Sequence, residues 1–161
     1  MFVFVRAITY ATLFVGLVLI YLPARLLAWV GIERPAAMGA QQVCGLIVGA
    51  VGAVVALWCV LAFASIGKGT PAPFDPPRRL VVRGPYRFVR NPMYLGAGAA
   101  LGGAALHYGS WPLLVYAVLM FLTAHLFVVK YEEPHLQHIF REEYVAYCRL
   151  VRRWWPGLSE K

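Results

Sequence analysis

Apolar residues in this chain come in long blocks rather than in the alternating or striped patterns of a soluble domain. The first block covers residues 2–29, is interrupted near its start by Arg6, and predicts a helix over residues 2–22. It is longer than the apolar core of a secretory signal and no small-x-small cleavage site follows it, so it reads as a retained span. Further spans are predicted over residues 43–66, 93–108 and 111–129. These blocks approach or pass the ~18–20 residues that cross a bilayer. The third is short. Residues 95–108 rise only about 21 Å, so this helix either takes its first turn from Pro92, Met93 and Tyr94 or dips into the membrane as one arm of a hairpin. The connection HYGSWP, residues 107–112, is punctuated by Gly109 and Pro112.

Pro134 has no N–H for the carbonyl of Lys130, so the fourth helix is expected to end or kink there. Beyond it Leu136, Phe140, Tyr144, Tyr147, Cys148 and Val151 recur at helical spacing, with Arg141, Glu142, Arg149 and Arg152 on the other face. That pattern predicts an amphipathic helix lying at the membrane interface. The expected fold class is therefore an all-α integral membrane protein, with about four transmembrane helices and a C-terminal interfacial helix. It forms a single domain: two N-terminal spans within residues 1–66, a polar loop over 67–92, and a hairpin with its C-terminal segment over 93–161.

Composition agrees with the pattern. Of 161 residues, 61% are hydrophobic and 14% charged, whereas a soluble domain is nearer half apolar. Charge then sets orientation. Residues 67–91 carry Lys68, Arg78, Arg79, Arg83, Arg87 and Arg90 against Asp75 alone, and the turn at 107–112 carries no Lys, Arg, Asp or Glu. The positive-inside rule places this loop and both termini on the cytoplasmic side of an inner or plasma membrane, with Arg25 and Arg34 as exceptions on the opposite side. The basic balance suits a membrane surface, and no nucleic-acid partner is expected. Cys44, Cys59 and Cys148 form no CxxC pair and read as small buried hydrophobes. Gly45, Gly49 and Ala53 on the second span, and Gly98 and Gly102 beside Gly96 and Ala100 on the third, predict two helices in close backbone contact.

The chemistry-bearing residues fall in two blocks, 78–94 and 130–156. Glu132 and Glu133 stand at the membrane end of the fourth helix and point about 100° apart. A carboxylate at that depth is costly unless it meets a cation or hydrogen-bond donors. Glu132 and His135 form an E-x-x-H pair with His138 one turn on, but a di-iron bundle needs several more carboxylates and a second such pair. The predicted spans one to three hold no Asp or Glu, and the other histidines, His107 and His125, lie elsewhere, so no metal is expected. In the first block Gly84-Pro85 makes a turn, residues 86–90 suit one helical turn, Asn91 suits an N-cap and Pro92 a first helical position. The crowding of Tyr86, Met93 and Tyr94 at the same corner, near a carboxylate, suggests a pocket for a polar ligand carrying both charges.

These two blocks, RGPYRFVRNPMYLG over residues 83–96 and EEPHLQHIFREEYVAYCRLVRRWWP over residues 132–156, resemble the integral-membrane methyltransferase family. That family comprises isoprenylcysteine carboxyl methyltransferases, phospholipid methyltransferases and small bacterial relatives. Its pattern is a G-x-Y-x-x-x-R-[HN]-P-x-Y corner, then E-E, then F-x-x-x-Y-x-x-Y, and the resemblance spans residues 78–156. It implies S-adenosylmethionine as cofactor and methyl transfer to a lipophilic, membrane-borne acceptor. Carried over, Leu80, Val81 and Tyr86 lie along the cofactor, Asn91, Pro92, Met93 and Tyr94 form the corner around it, and Glu132 is its acidic contact. Arg90, Glu133, Tyr144 and Arg149 are expected behind these or on the substrate side. The resemblance names no catalytic base: Asn91 stands where many members have histidine. Val128 stands where some prenylcysteine enzymes carry a substrate-binding arginine. Two other readings compete. A membrane reductase of the steroid-reductase type would use NADPH, with Arg78, Arg79 and Arg83 for its phosphates. A non-enzymatic lipid-binding scaffold would explain the basic loop but neither the tyrosine corner nor the paired glutamates.

Overall fold

The structure, a computed structural model, describes residues 9, 12–13, 15–67 and 78–157. Most of the first apolar block's start, and Lys68 and Asp75 of the basic loop, lie outside the described residues. Every regular element among the described residues is helical. Helix α1, Leu22–Val30, continues directly from a wide π-helical stretch, Val15–Tyr21, and stops at Gly31 with φ 72°. The helix thus runs past the expected end at residue 22. Pro23 sits in the first turn of α1, and the wide stretch ahead of it accommodates the missing N–H. In π geometry the carbonyl of Val18 would bond residue 23, which is proline. The Tyr116 hydroxyl takes that place, donating to the Val18 carbonyl at 2.8 Å.

Helix α2, Ala40–Ala62, is extended by a π turn, Phe63–Gly67. Helix α3, Pro92–Tyr108, ends at Gly109 with φ 59°. Ser110 then caps helix α4, Trp111–Phe127, by accepting a hydrogen bond from the Leu113 N–H at 3.3 Å. A third π turn, Val128–Glu132, leads without a break into helix α5, Glu133–Leu150. The chain therefore stays helical through Pro134, because the wide turn before it absorbs the missing hydrogen bond. The break comes later, at Arg141, whose φ of 46° and ψ of −118° divide α5 into two arms. No sequence signal marks that break. Two helical stretches, Ala40–Gly67 and Trp111–Leu150, are long and apolar enough to cross a membrane, and Val15–Val30 is a shorter apolar helix.

Helices α2 and α3 form the tightest pairing, through a glycine seam in a different register from the expected one. Gly45, Gly49 and Gly52 meet Gly96, Ala100 and Gly103. Gly102 points into open space, Gly98 faces Phe121, and Ala53 is not part of the seam. Strict four-residue spacing drifts around a 3.6-residue helix; alternating steps of four and three keep small residues on one stripe. A Cβ on Gly52 would fall 2.5 Å from both the Ala100 nitrogen and the Gly96 oxygen, whereas one on Gly102 would meet nothing within 4 Å. We expect Gly52→Ala to lower the unfolding midpoint in detergent, at a cost of about 1–3 kcal/mol, with Gly102→Ala unchanged. Equal midpoints would show that the helices do not meet at this seam. At the far end Gln41 Nε2 donates to the Leu106 carbonyl at 3.0 Å and His107 Nδ1 lies 3.2 Å from the Gln42 carbonyl, which accounts for His107.

Candidate functional site

The corner that precedes α3 is built from backbone constraints. Gly84, at φ 64°, turns the chain into a short 3-10 helix, Gly84–Arg87, with Pro85 inside it. This places Tyr86 in the interior, its ring edge-on to Phe63 at 5.3 Å between centroids. Cys59, Ala62 and Val81 pack around it, and half-buried Met93 closes the cluster. Burial pushes the Tyr86 phenol well above its ordinary range, so it stays protonated. Its backbone carbonyl accepts a hydrogen bond from the Tyr147 hydroxyl at 2.6 Å, which ties the corner to the second arm of α5.

Asn91 occupies the position before α3 but does not cap it. Its backbone lies at φ −125°, ψ 53°, and no side-chain cap bond forms. The amide instead reaches the Arg153 carbonyl, Nδ2 to O at 3.4 Å. One residue earlier, the Arg90 N–H donates to the Arg152 carbonyl at 2.9 Å. Residues 151–155 therefore form a strap folded back over the corner.

The paired glutamates divide their roles. Glu132 Oε2 accepts the Tyr94 hydroxyl at 3.0 Å. Glu133 is gripped by the Arg153 guanidinium through two bonds of 2.7 Å, and its Oε1 lies 3.2 Å from Arg90 Nη1. This bidentate geometry is the strong form of an ion pair. It holds the Arg153 guanidinium charged, above its ordinary value. Among the described residues Glu132 meets no such cation. It lies past the apolar run of α4, and burial raises its carboxyl above the ordinary range, the Tyr94 hydrogen bond opposing that shift and the Glu133 charge adding to it. Glu132 thus keeps a carboxyl whose charged form is disfavoured by burial and supported by the Tyr94 hydroxyl.

A cleft opens between the corner and the α4–α5 junction. Its volume is about 410 Å³ with the open mouth included. Of the expected cofactor contacts, Leu80, Val81, Tyr86, Asn91 and Glu132 line it. Pro92, Met93 and Tyr94 stand behind the wall, Tyr94 acting through Glu132. Arg90, Glu133 and Tyr144 also line it, while Arg149 is exposed on the outer face of α5 and is not brought in. The expectation for Arg149 fails because the break at Arg141 and the helical spacing turn Tyr144 and Tyr147 inward instead. Phe63, Leu136 and Tyr147 join the lining without having been singled out for it. Tyr147 shares the helical spacing of Tyr144, which is a legible signal. Arg153 had none, since its partner is set by the strap.

The donor set suits a zwitterionic cationic ligand. Tyrosine faces attract a cation, Glu132 can pair an ammonium or accept from hydroxyls, and Arg90 Nε is buried without a hydrogen-bond partner. Among the described residues no group of three or more His, Cys, Asp or Glu could hold a metal ion. Comparison with known proteins adds one finding: the family model described as phospholipid methyltransferase matches residues 40–143. The matched span covers α2, the corner, α3, α4 and the first arm of α5 with both glutamates. No curated protein and no solved structure matches the chain.

Proposed function

This chain belongs to the phospholipid methyltransferase family, and from that premise we propose that it transfers a methyl group from S-adenosylmethionine to a lipophilic acceptor at the cytoplasmic membrane face. The observation that carries the reading is the unpaired, half-buried Glu132, bonded to Tyr94 in a cleft walled by Tyr86, Tyr144 and Tyr147. When bound, S-adenosylmethionine supplies an electrophilic methyl on a sulfonium. Glu132 would take its ammonium or ribose hydroxyls, Arg90 Nε its carboxylate, and the tyrosine faces its cationic centre, with Leu80 and Val81 alongside. The residues' work is to orient and to exclude water; orientation alone can supply about 7–11 kcal/mol of rate enhancement. The reading assigns no general base, and Asn91 has no proton to shuttle.

In this reading the first apolar block, whose helix ends in α1, makes four spans with α2, α3 and α4, and both termini, the basic loop and the site are cytoplasmic. α3, at 17 residues, reaches only about 25 Å and leaves its first turn in the headgroup region. Residues 93–161 with the preceding loop carry the site, and the π turn after α2 lends it Phe63. The reading accounts for the tyrosine corner and the paired glutamates, which neither an NADPH reductase nor a lipid-binding scaffold requires.

Protonation gives a test with a defined sign. Because burial raises the Glu132 carboxyl, the folded state holds that proton more tightly than the unfolded chain, and the cost of burying the carboxylate is relieved as pH falls. Ligand affinity moves the opposite way, since only the carboxylate pairs an ammonium. We expect S-adenosylhomocysteine affinity to weaken from neutral to mildly acidic buffer, and Glu132→Gln to bind weakly with no such slope. A slope that persists in Glu132→Gln would assign it to another group. Transfer itself is tested by counting tritiated methyl moved from S-adenosylmethionine into total lipid extract; no transfer under any condition would remove the proposed activity.

A further inference from the structure

Taking methyl transfer as the reaction, the geometry points to His125 as a positioning residue that seats Trp154 as the membrane-side wall of the transfer site. His125 lies within the apolar run of α4, where an ionisable side chain is costly and marks function by default. Its partner is specific. Trp154 Nε1–H donates to His125 Nδ1 at 3.0 Å. An indole nitrogen only donates, so Nδ1 is the accepting nitrogen and the neutral imidazole carries its proton on Nε2.

The seat has two aromatic sides, His125 and Phe121. Phe121 stands one turn before His125 on α4 and meets the same indole, its ring centroid 5.0 Å away, with the imidazole centroid at 5.7 Å. Phe121 in turn lies against Gly98, where a Cβ would be 3.7 Å from Cδ2, and Gly98 is one turn along α3 from Tyr94. The indole therefore packs on Phe121 and His125 of α4, and Phe121 links that seat to α3 at Gly98, one turn from the Tyr94 that bonds Glu132. It reaches there from the strap, whose preceding residue, Arg153, is fixed to Glu133. Successive residues of the strap thus hold two different levels of one helix. Arg153 grips beside the cofactor cleft, and Trp154 grips roughly two turns deeper, on the side a membrane-borne acceptor approaches. Trp154 is half-buried.

The consequence is a division of labour. Loss of the His125–Trp154 bond loosens the acceptor side while leaving the groups that hold the cofactor in place. In full-length protein whose other tryptophans are replaced by phenylalanine, acrylamide quenching of Trp154 is expected to rise threefold or more in His125→Leu. His125→Gln, which offers a carbonyl to the indole N–H, should restore most of the protection. With the native tryptophans and total lipid extract as acceptor, His125→Leu and Trp154→Phe should each raise the apparent KM for lipid about fivefold. Their S-adenosylhomocysteine affinity should stay within twofold, and the double variant should be no worse than the poorer single one. Unchanged quenching in His125→Leu overturns the seating. Additive losses in the double variant, or a parallel loss of S-adenosylhomocysteine affinity, overturn the positioning role. A native protein that methylates no lipid removes the underlying activity instead, and the quenching series then still decides whether His125 seats Trp154.

Discussion

Glu133→Ala is expected to destabilise the protein by about 3 kcal/mol, the lower end of what breaking a buried ion pair costs. Glu133 stands between two guanidinium groups, bidentate to Arg153 and 3.2 Å from Arg90. The Arg90 side chain is only 15% exposed, and without Glu133 it keeps little beyond its contact with Cys148 Sγ. Two like charges would then face each other in a partly desolvated site. Arg153, at 33% exposure, can turn toward water, which keeps the cost at the lower end. Thermal unfolding in detergent checks this against Glu142→Ala on the exposed face of α5, expected within ~0.5 kcal/mol of wild type. Matching midpoints for the two variants would mean that the network does not hold the strap.

The second large effect is on binding. Tyr94→Ala should weaken S-adenosylhomocysteine about tenfold or more, through Glu132 rather than by direct contact. The Tyr94 hydroxyl is the donor that favours the Glu132 carboxylate against burial; a hydrogen bond to a charged group contributes about 1.5–3 kcal/mol. Its loss leaves Glu132 protonated over a wider pH range and free to turn. Arg149→Ala, on the exposed side of α5, should bind as wild type does. Equal losses in the two variants would place the pocket elsewhere, and Tyr94→Phe separates the hydroxyl from the ring.

The long apolar blocks foretold α2 and α4 closely, because a membrane helix satisfies its own backbone and its composition carries the signal. The turn at residues 107–112 was equally legible from Gly109 and Pro112, whereas the cap supplied by Ser110 came only with the structure. Prolines were harder to read. Pro134 reads as a stop, yet there, as at Pro23, a wide turn one step earlier keeps the chain helical, and the sequence does not mark where that turn forms. Asn91 shows a different limit. Local propensity favours it as a cap, but the strap offers its amide a long-range acceptor, the Arg153 carbonyl. The register of the glycine seam and the partners of Arg153 and Trp154 depend likewise on how elements far apart in sequence meet. At the site, Leu80, Val81, Tyr86 and Glu132, expected from the family resemblance, line one cleft, whereas Phe63 and Leu136 entered through packing alone.

The central claim is that this cleft takes an adenosyl sulfonium cofactor through Glu132. Its most direct test is titration of the purified full-length protein in detergent with S-adenosylmethionine, S-adenosylhomocysteine and NADPH, alongside Glu132→Ala. The expected result is saturable binding of both adenosyl compounds by wild type, none of NADPH, and a loss of at least tenfold in Glu132→Ala. Binding of NADPH alone, or adenosyl affinity that Glu132→Ala leaves intact, would contradict it.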